Sequence, residues 1–153
     1  MNIRQAQNYD IEAISALAYS LTIKYITPEF PPAARDALLN SMTIDAIARH
    51  VESGVQYHVA ESRGCIIGVV GIKDNRHLYH LFVNENYQRQ GVARHLWQAA
   101  MQQCLAIGNP GEFTVNSSLY AKAIYEKLGF VAQSGPVERN GIAAIPMKMK
   151  VGN

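Results

Sequence analysis

The chain has 153 residues, 48% of them hydrophobic and 17% charged, and this composition favours one folded domain with its own core. A formal net charge of +2 is too small for a typical nucleic-acid-binding domain. No apolar run approaches the roughly 18 residues of a membrane span, and the opening residues MNIRQAQNYD lack the apolar segment of a signal peptide. We therefore expect a single cytoplasmic domain over residues 1–153 that binds neither nucleic acid nor membrane.

The first third of the chain is predicted to be mainly helical. Apolar residues recur at helical spacing at positions 11, 14, 17 and 21, and Thr43 is a suitable N-cap. Pro28, Pro31 and Pro32 interrupt the pattern because proline lacks an N–H donor. We expect a short strand over residues 2–7 and helices over residues 10–24, 33–42 and 44–52.

The middle of the chain changes to a strand pattern. Short polar turns separate apolar runs, so we expect three antiparallel neighbours over residues 56–61, 65–73 and 77–83. Gly68 and Gly71 inside the central run indicate a bulge or a close backbone approach. The two cysteines, Cys65 and Cys104, have neither disulfide nor metal-ligand spacing, and no metal is expected.

The stretch from Leu78 to Leu105 contains a strand, a polar turn and a helix that begins at Gly91. Backbone N–H groups in such a turn can converge on one anion, and the helix N-terminus adds a positive dipole end. The helix is predicted over residues 91–106 and the next strand over residues 112–115. This strand-helix-strand unit predicts a parallel pair with a right-handed crossover.

The last part of the chain is predicted to add one helix and a hairpin. A polar turn over residues 116–118 leads into a helix that ends near Leu128, with Gly129 as its C-terminal cap. Strands over residues 130–137 and 142–150 are joined at Asn140-Gly141, a strong hairpin signal. The element order β-α-α-α-β-β-β-α-β-α-β-β predicts a mixed sheet.

Three features together resemble the GNAT superfamily of N-acetyltransferases. The run Gln88-Arg89-Gln90-Gly91-Val92-Ala93 is similar to the family's Q/R-x-x-G-x-G/A pyrophosphate motif, and the strand ending Leu81-Phe82-Val83 precedes it. The run VNSSLYAKAIYEKLGF over residues 115–130 resembles the second half of the family's cofactor site. The likeness covers about residues 3–150.

The resemblance implies an α/β (α+β) fold: a mixed, mostly antiparallel sheet of about seven strands flanked by helices, with a splayed central strand pair. It implies acetyl-CoA as cosubstrate, without a metal. Gln88 and the backbone of residues 89–94 (Arg89, Gln90, Gly91, Val92, Ala93, Arg94) would bind the pyrophosphate. Arg89 stands where glycine is commoner in the family, and a positive φ there would cost about 1 kcal/mol.

The resemblance also implies catalytic roles for two groups. The backbone N–H of Val83 would bond the acetyl carbonyl as negative charge develops on its oxygen. Tyr125 matches the family tyrosine that protonates the leaving thiolate, although helical spacing also fits a core aromatic. Ser118 and Asn116 are expected to touch the cofactor arm, or only to cap the following helix.

The base and the acceptor site are less determined. His80 is the preferred general base because its ordinary pKa suits the task, while packing within the strand is the alternative; Glu61, His58 and Glu138 are weaker candidates. The resemblance places the acceptor between the first helices and the final hairpin. Tyr25, Phe30 and Glu138 are expected there, or else pack as ordinary loop residues.

The expected function is acetyl transfer from acetyl-CoA to a primary amine, by direct attack in a ternary complex. The acceptor is a small molecule or a peptide, and a homodimer is possible by analogy. A non-catalytic CoA-binding sensor or regulatory module is the alternative. Redox binding of a dinucleotide is excluded by topology, because only one Gly-turn-helix exists and antiparallel strands occupy both ends of the chain.

Overall fold

The computed structural model describes residues 1–152, which form five α-helices and eight strands. The strands are β1 (Asn2–Gln5), β2 (Gln56–Ser62), β3 (Cys65–Lys73), β4 (His77–Val83), β5 (Glu112–Ser117), β6 (Val131–Ala132), β7 (Val137–Arg139) and β8 (Ile142–Lys150). The α-helices are α1 (Ile11–Leu21), α2 (Pro32–Asn40), α3 (Ile44–Glu52), α4 (Val92–Ala106) and α5 (Lys122–Leu128). None of the helices in this range is long and apolar enough to cross a membrane.

Local sequence signals explain where these elements begin and end. The Thr43 hydroxyl accepts the N–H of Ala46 at 3.2 Å and so caps α3. Gly129 ends α5 with a φ of +111°, a conformation that favours glycine. Asn140 and Gly141 both have positive φ, as a tight β7–β8 hairpin requires.

The sheet is mixed and mostly antiparallel, as predicted. Its order is β1-β2-β3-β4-β5-β8-β6, with β7 also paired to β8, and β4–β5 is the parallel pair of residues 1–152. The strand predicted over residues 130–137 is broken into β6 and β7, so the sheet has eight strands instead of about seven.

Two hydrophobic cores lie on opposite faces of the sheet. One packs α4 and α5 against the strands around Trp97, Leu78 and Phe113. The other packs α1 and α3 against the strands around Ile14, Ile47 and Phe82. Any opening in the sheet therefore connects an α4–α5 face with an α1–α3 face.

Both glycines of β3 lie close to side chains of neighbouring elements, and the predicted bulge lies opposite one of them. A Cβ at Gly71 would lie 2.5 Å from the Tyr57 ring, and one at Gly68 would lie 2.9 Å from Leu96 Cδ1. The β3–β4 register also shifts beside Gly71, which pairs with His80 while Ile72 pairs with Leu78. The intervening residue, Tyr79, has no partner in this ladder, so β4 contains a bulge.

The bulge changes which face the β4 side chains occupy. Leu78 belongs to the core beneath α4, whereas Phe82, four residues later, belongs to the core beneath α1. In a regular strand both would lie on one face. The side chain of His80 lies on the same face of the sheet as Phe82 and packs among aromatic rings on the α1–α3 side.

Among the boundaries that differ from the sequence prediction, three lie near the β4–β5 pair or in the first helical segment. Asn116 and Ser117 continue β5, because they pair with Pro146 and Ile145 of β8, so the polar turn starts only at Ser118. The helix after that turn begins at Lys122. The first helix ends at Leu21 and continues as a wider π-helical turn over Thr22–Ile26.

Candidate active site

The loop between β4 and α4 is tied to the end of β4. The Gln88 side chain donates from Nε2 to the carbonyl oxygen of Val83 at 3.0 Å. Gly91 occupies the N-cap of α4 with a φ of +80°, and Arg89 has a φ of +64°. Arg89 therefore adopts the strained conformation that the sequence left open, at a cost of about 1–2 kcal/mol.

The first turn of α4 presents unpaired backbone donors. Gly91 has no side chain to accept them, and the first N–H to bond back is that of His95, which donates to the Gly91 carbonyl at 3.0 Å. The N–H groups of Val92, Ala93 and Arg94 thus lack intrahelical acceptors, as at any helix start. Together with the positive dipole end they form an anion-binding surface.

The parallel pair β4–β5 is hydrogen-bonded only at its beginning. Its register consists of His77 with Thr114 and Leu78 with Val115, and the strands then separate. On the other edge, the Asn84 N–H donates to Ile67 O at 2.8 Å. This bond makes Val83 and Gly68 a non-hydrogen-bonded pair of the β3–β4 ladder, so the Val83 N–H points away from β3 and into the gap.

Leu81 has the same phase as Val83, because it lies two residues earlier and pairs with Val70 beyond the bulge. Two successive N–H groups of β4 therefore face a gap that no protein strand fills. Unpaired backbone groups of this kind are costly when they are sealed away from any partner. The gap is accordingly a place for a ligand with hydrogen-bonding groups of its own.

A cavity of about 760 Å³ passes through this gap. It is lined by residues of both cores, including Val83, Val92 and Tyr125 from the α4–α5 face and Leu21 and Phe82 from the α1–α3 face. Its volume is within the range of small-molecule sites.

Most of the residues predicted for the cofactor lie along this cavity. The lining includes Val83, Gln88, Arg89, Gly91, Val92, Ala93, Arg94, Asn116 and Ser118. Gln90 does not line it; its side chain instead donates to the Asn86 carbonyl at 3.2 Å. The charged residues of the lining are Arg89, Arg94 and Lys127, all cationic and all near α4 or α5.

Tyr125 lies on α5 and lines the cavity. Its ring packs edge-on against Phe130 with centroids 5.9 Å apart, so it is also a core aromatic. Burial raises the pKa of its phenol, which keeps the hydroxyl protonated. The packing and the chemical role are thus compatible within one side chain.

Ser118 and Asn116 differ in their contacts. Ser118 Oγ accepts the N–H of Ala121 at 3.1 Å and so closes the turn before α5. It does not cap the helix as expected, because α5 begins only at Lys122 and its N-cap, Ala121, has no side-chain hydrogen bond. Asn116 sits within β5, is exposed and lines the cavity. The amide of Asn116 is therefore the more available of the two for a ligand.

His80 is buried and its environment argues against the predicted base role. Its Nδ1 lies 2.9 Å from the Tyr57 hydroxyl. Burial, and then the nearby His50, lower the pKa of His80 to about 3. An imidazole with so low a pKa is a weak proton acceptor. Glu61 is bound to Arg4 at 2.9 Å, and neither Glu61 nor His58 lines the cavity.

Two of the three residues predicted for the acceptor site line the cavity, and one does not. Tyr25 and Phe30 contribute to its wall, whereas Glu138 is exposed on β7 and lies outside it. The part of the hairpin that faces the cavity is β8, through Ile142, Ala143 and Ala144.

Sequence reasoning missed two contacts that shape the site. Tyr25 stacks on Tyr120 with ring centroids 5.0 Å apart, and its hydroxyl donates to Glu85 Oε2 at 2.7 Å. Tyr57 was not singled out, although it is the partner of His80. No motif connects residues so far apart in the chain; the glycine at position 71, which makes room for the Tyr57 ring, was the available signal.

Three features of this site are together typical of an acetyltransferase. They are the mixed sheet with its separated parallel pair, the anion-binding loop before the next helix, and the cavity through the gap between the two strands. Residues 26–151 match the family model of the acetyltransferase (GNAT) domain. The chain therefore belongs to the GNAT acetyltransferase family. It matches no curated protein in sequence.

Solved structures share the fold at low sequence identity. A GCN5-related N-acetyltransferase from Rhodopseudomonas palustris is 21% identical with a TM-score of 0.82, over 98% of this chain and 95% of that one. The PaiA N-acetyltransferase from Thermoplasma acidophilum, in complex with coenzyme A, is 15% identical with a TM-score of 0.77, over 98% of both chains. YncA from Salmonella typhimurium, with its cofactor acetyl-CoA, is 18% identical with a TM-score of 0.71, over 100% of this chain and 95% of that one.

Proposed function

We propose that the protein transfers the acetyl group of acetyl-CoA to a primary amine by direct attack in a ternary complex. The observation that carries this proposal is the cavity through the β4–β5 gap. It brings the Val83 N–H, the N-terminus of α4 and the Tyr125 side chain to one space. Family membership supports acetyl transfer in general.

The residues present fit coenzyme A. Its pyrophosphate requires converging N–H donors and positive charge, which the first turn of α4 and the Arg89 and Arg94 side chains provide. Its pantetheine arm carries amides, which can bond backbone groups that the separation of β4 and β5 leaves unpaired. When bound, acetyl-CoA supplies an activated acyl group as a thioester.

Each of the chain's own groups has a separate task in this proposal. The Val83 N–H donates to the carbonyl oxygen where negative charge develops. Gln88 holds the next peptide, Val83–Asn84, through the Val83 carbonyl, and so supports the donor from the neighbouring peptide plane. The Tyr125 hydroxyl donates toward the leaving sulfur. Because a phenol is a weaker acid than a thiol, this is late proton donation with a modest contribution to the rate.

The acceptor amine must be neutral when it attacks. Since His80 is a weak base in its buried site, we propose that the ammonium loses its proton to solvent before the amine enters. The second proton, which the nitrogen loses as the amide forms, replaces the one that Tyr125 gives to the leaving sulfur, so the protons balance. This replaces His80 as the base with water outside the cavity.

Free-thiol release from acetyl-CoA, measured against a panel of primary amines, tests the proposal. A parallel thermal-shift titration with CoA separates binding from catalysis. Stabilisation by CoA together with amine-dependent thiol release supports the transferase. Stabilisation without turnover on any amine would replace it with the CoA-binding module, and no stabilisation by CoA would remove both.

A further inference from the structure

The half of the cavity on the α1–α3 side of the sheet is here called the acceptor end. Its wall comes from the segment between α1 and α3, from β4 beyond the bulge and from β8. The side chains are Leu21, Tyr25, Ile26, Phe30, Leu38, Met42, Tyr79, His80, Phe82, Ile142, Ala143 and Ala144. Nine of these twelve are hydrocarbon or thioether side chains without a hydrogen-bonding group.

Charge is unevenly distributed along the cavity. Within residues 1–152 no aspartate or glutamate lines it, and the cations Arg89, Arg94 and Lys127 belong to α4, its preceding loop and α5. The acceptor end therefore has no ionised side chain of its own. His80, its one histidine, stays neutral because its Nδ1 is engaged by the Tyr57 hydroxyl in a buried setting.

Glu85 contacts one residue of this wall from outside the cavity. It binds Lys24 Nζ and the Tyr25 hydroxyl, both at 2.7 Å, through the same oxygen. Its side chain does not line the cavity. Glu85 therefore places no carboxylate on the wall itself.

A charged group inside such a wall would lose its water without gaining a partner. Transfer of an unpaired ammonium to an apolar site is strongly unfavourable, whereas apolar surface gains about 25 cal/mol per Å² on burial. A molecule with a second ammonium or a carboxylate is thus excluded at this end. A molecule with one amine, entering as the free base, is accepted.

Two contacts also limit the size of the acceptor. The hairpin tip reaches the start of α2, where a Cβ at Gly141 would lie 3.4 Å from Pro31 Cγ. The Tyr25–Tyr120 stack joins the π-helical turn to the loop before α5. Both cross between elements that border the cavity, so a folded protein surface could not enter without separating them.

We propose that the acceptor is a small primary monoamine whose body is uncharged and mainly apolar or aromatic, bound against the acceptor end by burial of that body. This inference rests on the proposed function, because it names the acceptor of the same reaction. It excludes polyamines and acidic amino acids, whose further charges would find no partner on this wall.

The test compares kcat/KM for four amines in the thiol-release assay at pH 8. Phenethylamine and isoamylamine represent the proposed class, spermidine represents polycations, and glutamate represents acidic amino acids. We expect both apolar amines to exceed the other two by at least tenfold. Preference for spermidine or glutamate would overturn the inference while leaving the acetyltransferase function intact.

A charge introduced into the wall provides a second test. Leu38 is only half-buried, so Leu38→Glu should fold, and it should raise the kcat/KM ratio of putrescine to isoamylamine by at least fivefold. Leu38→Gln controls for size, and Ile23→Glu, at an exposed position outside the cavity, controls for net charge. Ile23→Glu should leave the ratio unchanged, and Leu38→Gln should raise it less than Leu38→Glu does, because it removes apolar contact without adding charge. An unchanged ratio in folded Leu38→Glu would contradict the location of the acceptor end.

Thermal unfolding and CoA stabilisation are measured for every variant. Turnover of no amine by a wild-type protein that CoA stabilises would overturn the transferase proposal, and this inference with it. Turnover that favours charged amines overturns this inference alone. The two failures are therefore distinguishable.

Discussion

Gln88 connects the anion-binding loop to the proposed oxyanion donor, because its Nε2 donates to the Val83 carbonyl at 3.0 Å. The N–H of the same peptide, which belongs to Asn84, donates to Ile67 O of β3. The peptide at the end of β4 is therefore hydrogen-bonded through both its N–H and its carbonyl. The same residue that marks the family motif in sequence thus acts on the catalytic strand. One side chain therefore links the loop that we propose to bind phosphate with the strand end that carries the proposed oxyanion donor.

We expect Gln88→Ala to lower kcat more than it raises KM for acetyl-CoA. Loss of the hydrogen bond that holds the Val83–Asn84 peptide, next to the peptide of the Val83 N–H, should cost about 1 kcal/mol, or about fivefold in kcat. Gln133→Ala is the matched control, because Gln133 Nε2 also donates to a backbone carbonyl, that of Val131 at 2.9 Å, outside the cavity. Steady-state kinetics of both variants decide; an equal effect of the two substitutions would contradict the link.

Tyr125→Phe should reduce kcat about tenfold, which corresponds to about 1.4 kcal/mol, with little change in stability. The ring that packs on Phe130 is retained and only the hydroxyl is lost. Because burial raises the phenol pKa, the wild-type hydroxyl stays protonated, and kcat should show no alkaline decline from this group up to pH 10. Kinetics from pH 7 to 10 check this, with the exposed Tyr19→Phe as control.

An unchanged kcat in Tyr125→Phe would leave Tyr125 as a core aromatic only. A loss of more than a thousandfold would also contradict the proposal, since it would require full proton transfer from an acid that is weaker than the thiol.

Arg89→Gly should stabilise the fold and weaken acetyl-CoA binding at the same time. Glycine removes the strain of the left-handed conformation, which should raise the free energy of unfolding by about 1–2 kcal/mol. The greater freedom of glycine in the unfolded chain lowers it again by about 0.5–1 kcal/mol. The lost charge should raise KM for acetyl-CoA about fivefold at low salt, from about 1 kcal/mol of an exposed ionic contact. Thermal unfolding and KM at two salt concentrations measure the two effects.

Arg63→Gly is the control for Arg89→Gly because Arg63 also has a positive φ, +53°, in the turn between β2 and β3. It should give a similar stabilisation without a change in KM, since it does not line the cavity. If both variants raise KM, the effect at position 89 is not a phosphate contact.

Local signals in the sequence predict the elements around the loop well, and tertiary contacts explain the errors. Gly91, Gly129 and Asn140-Gly141 have their expected conformations because backbone sterics decide them within a few residues. Glu138 was placed wrongly because the orientation of the hairpin depends on packing of its tip against Pro31, more than 100 positions earlier.

The environment of His80 was equally beyond prediction. Strand alternation would place it on the face of Leu78, but the bulge at Tyr79 moves it toward the α1–α3 core. Its partner, Tyr57, belongs to another strand. Ordinary histidine chemistry was therefore a reasonable expectation from the sequence, and burial changes it.

His80 should make the fold less stable as the pH falls below the ordinary histidine pKa. Its pKa is about 6.5 in the unfolded chain and is lowered to about 3 in the folded protein, so the unfolded state alone binds a proton between these values. The contribution of His80 to the free energy of unfolding is fully present above pH 6.5. Below that pH it decreases by up to about 1.4 kcal/mol per pH unit. Urea unfolding from pH 7.5 to 4.5 should show this slope.

His80→Gln should make the free energy of unfolding depend less steeply on pH, by the contribution of one proton, because glutamine does not titrate. His58 and His77, whose pKa values burial also lowers, leave a residual slope in the variant. Asp10 contributes only at lower pH: its pKa is lowered by Arg4, so its stabilisation is lost as carboxylates protonate below about pH 4. An identical slope in wild type and His80→Gln over pH 4.5–6.5 would mean that His80 is protonated in the folded protein, and the general-base role would then return.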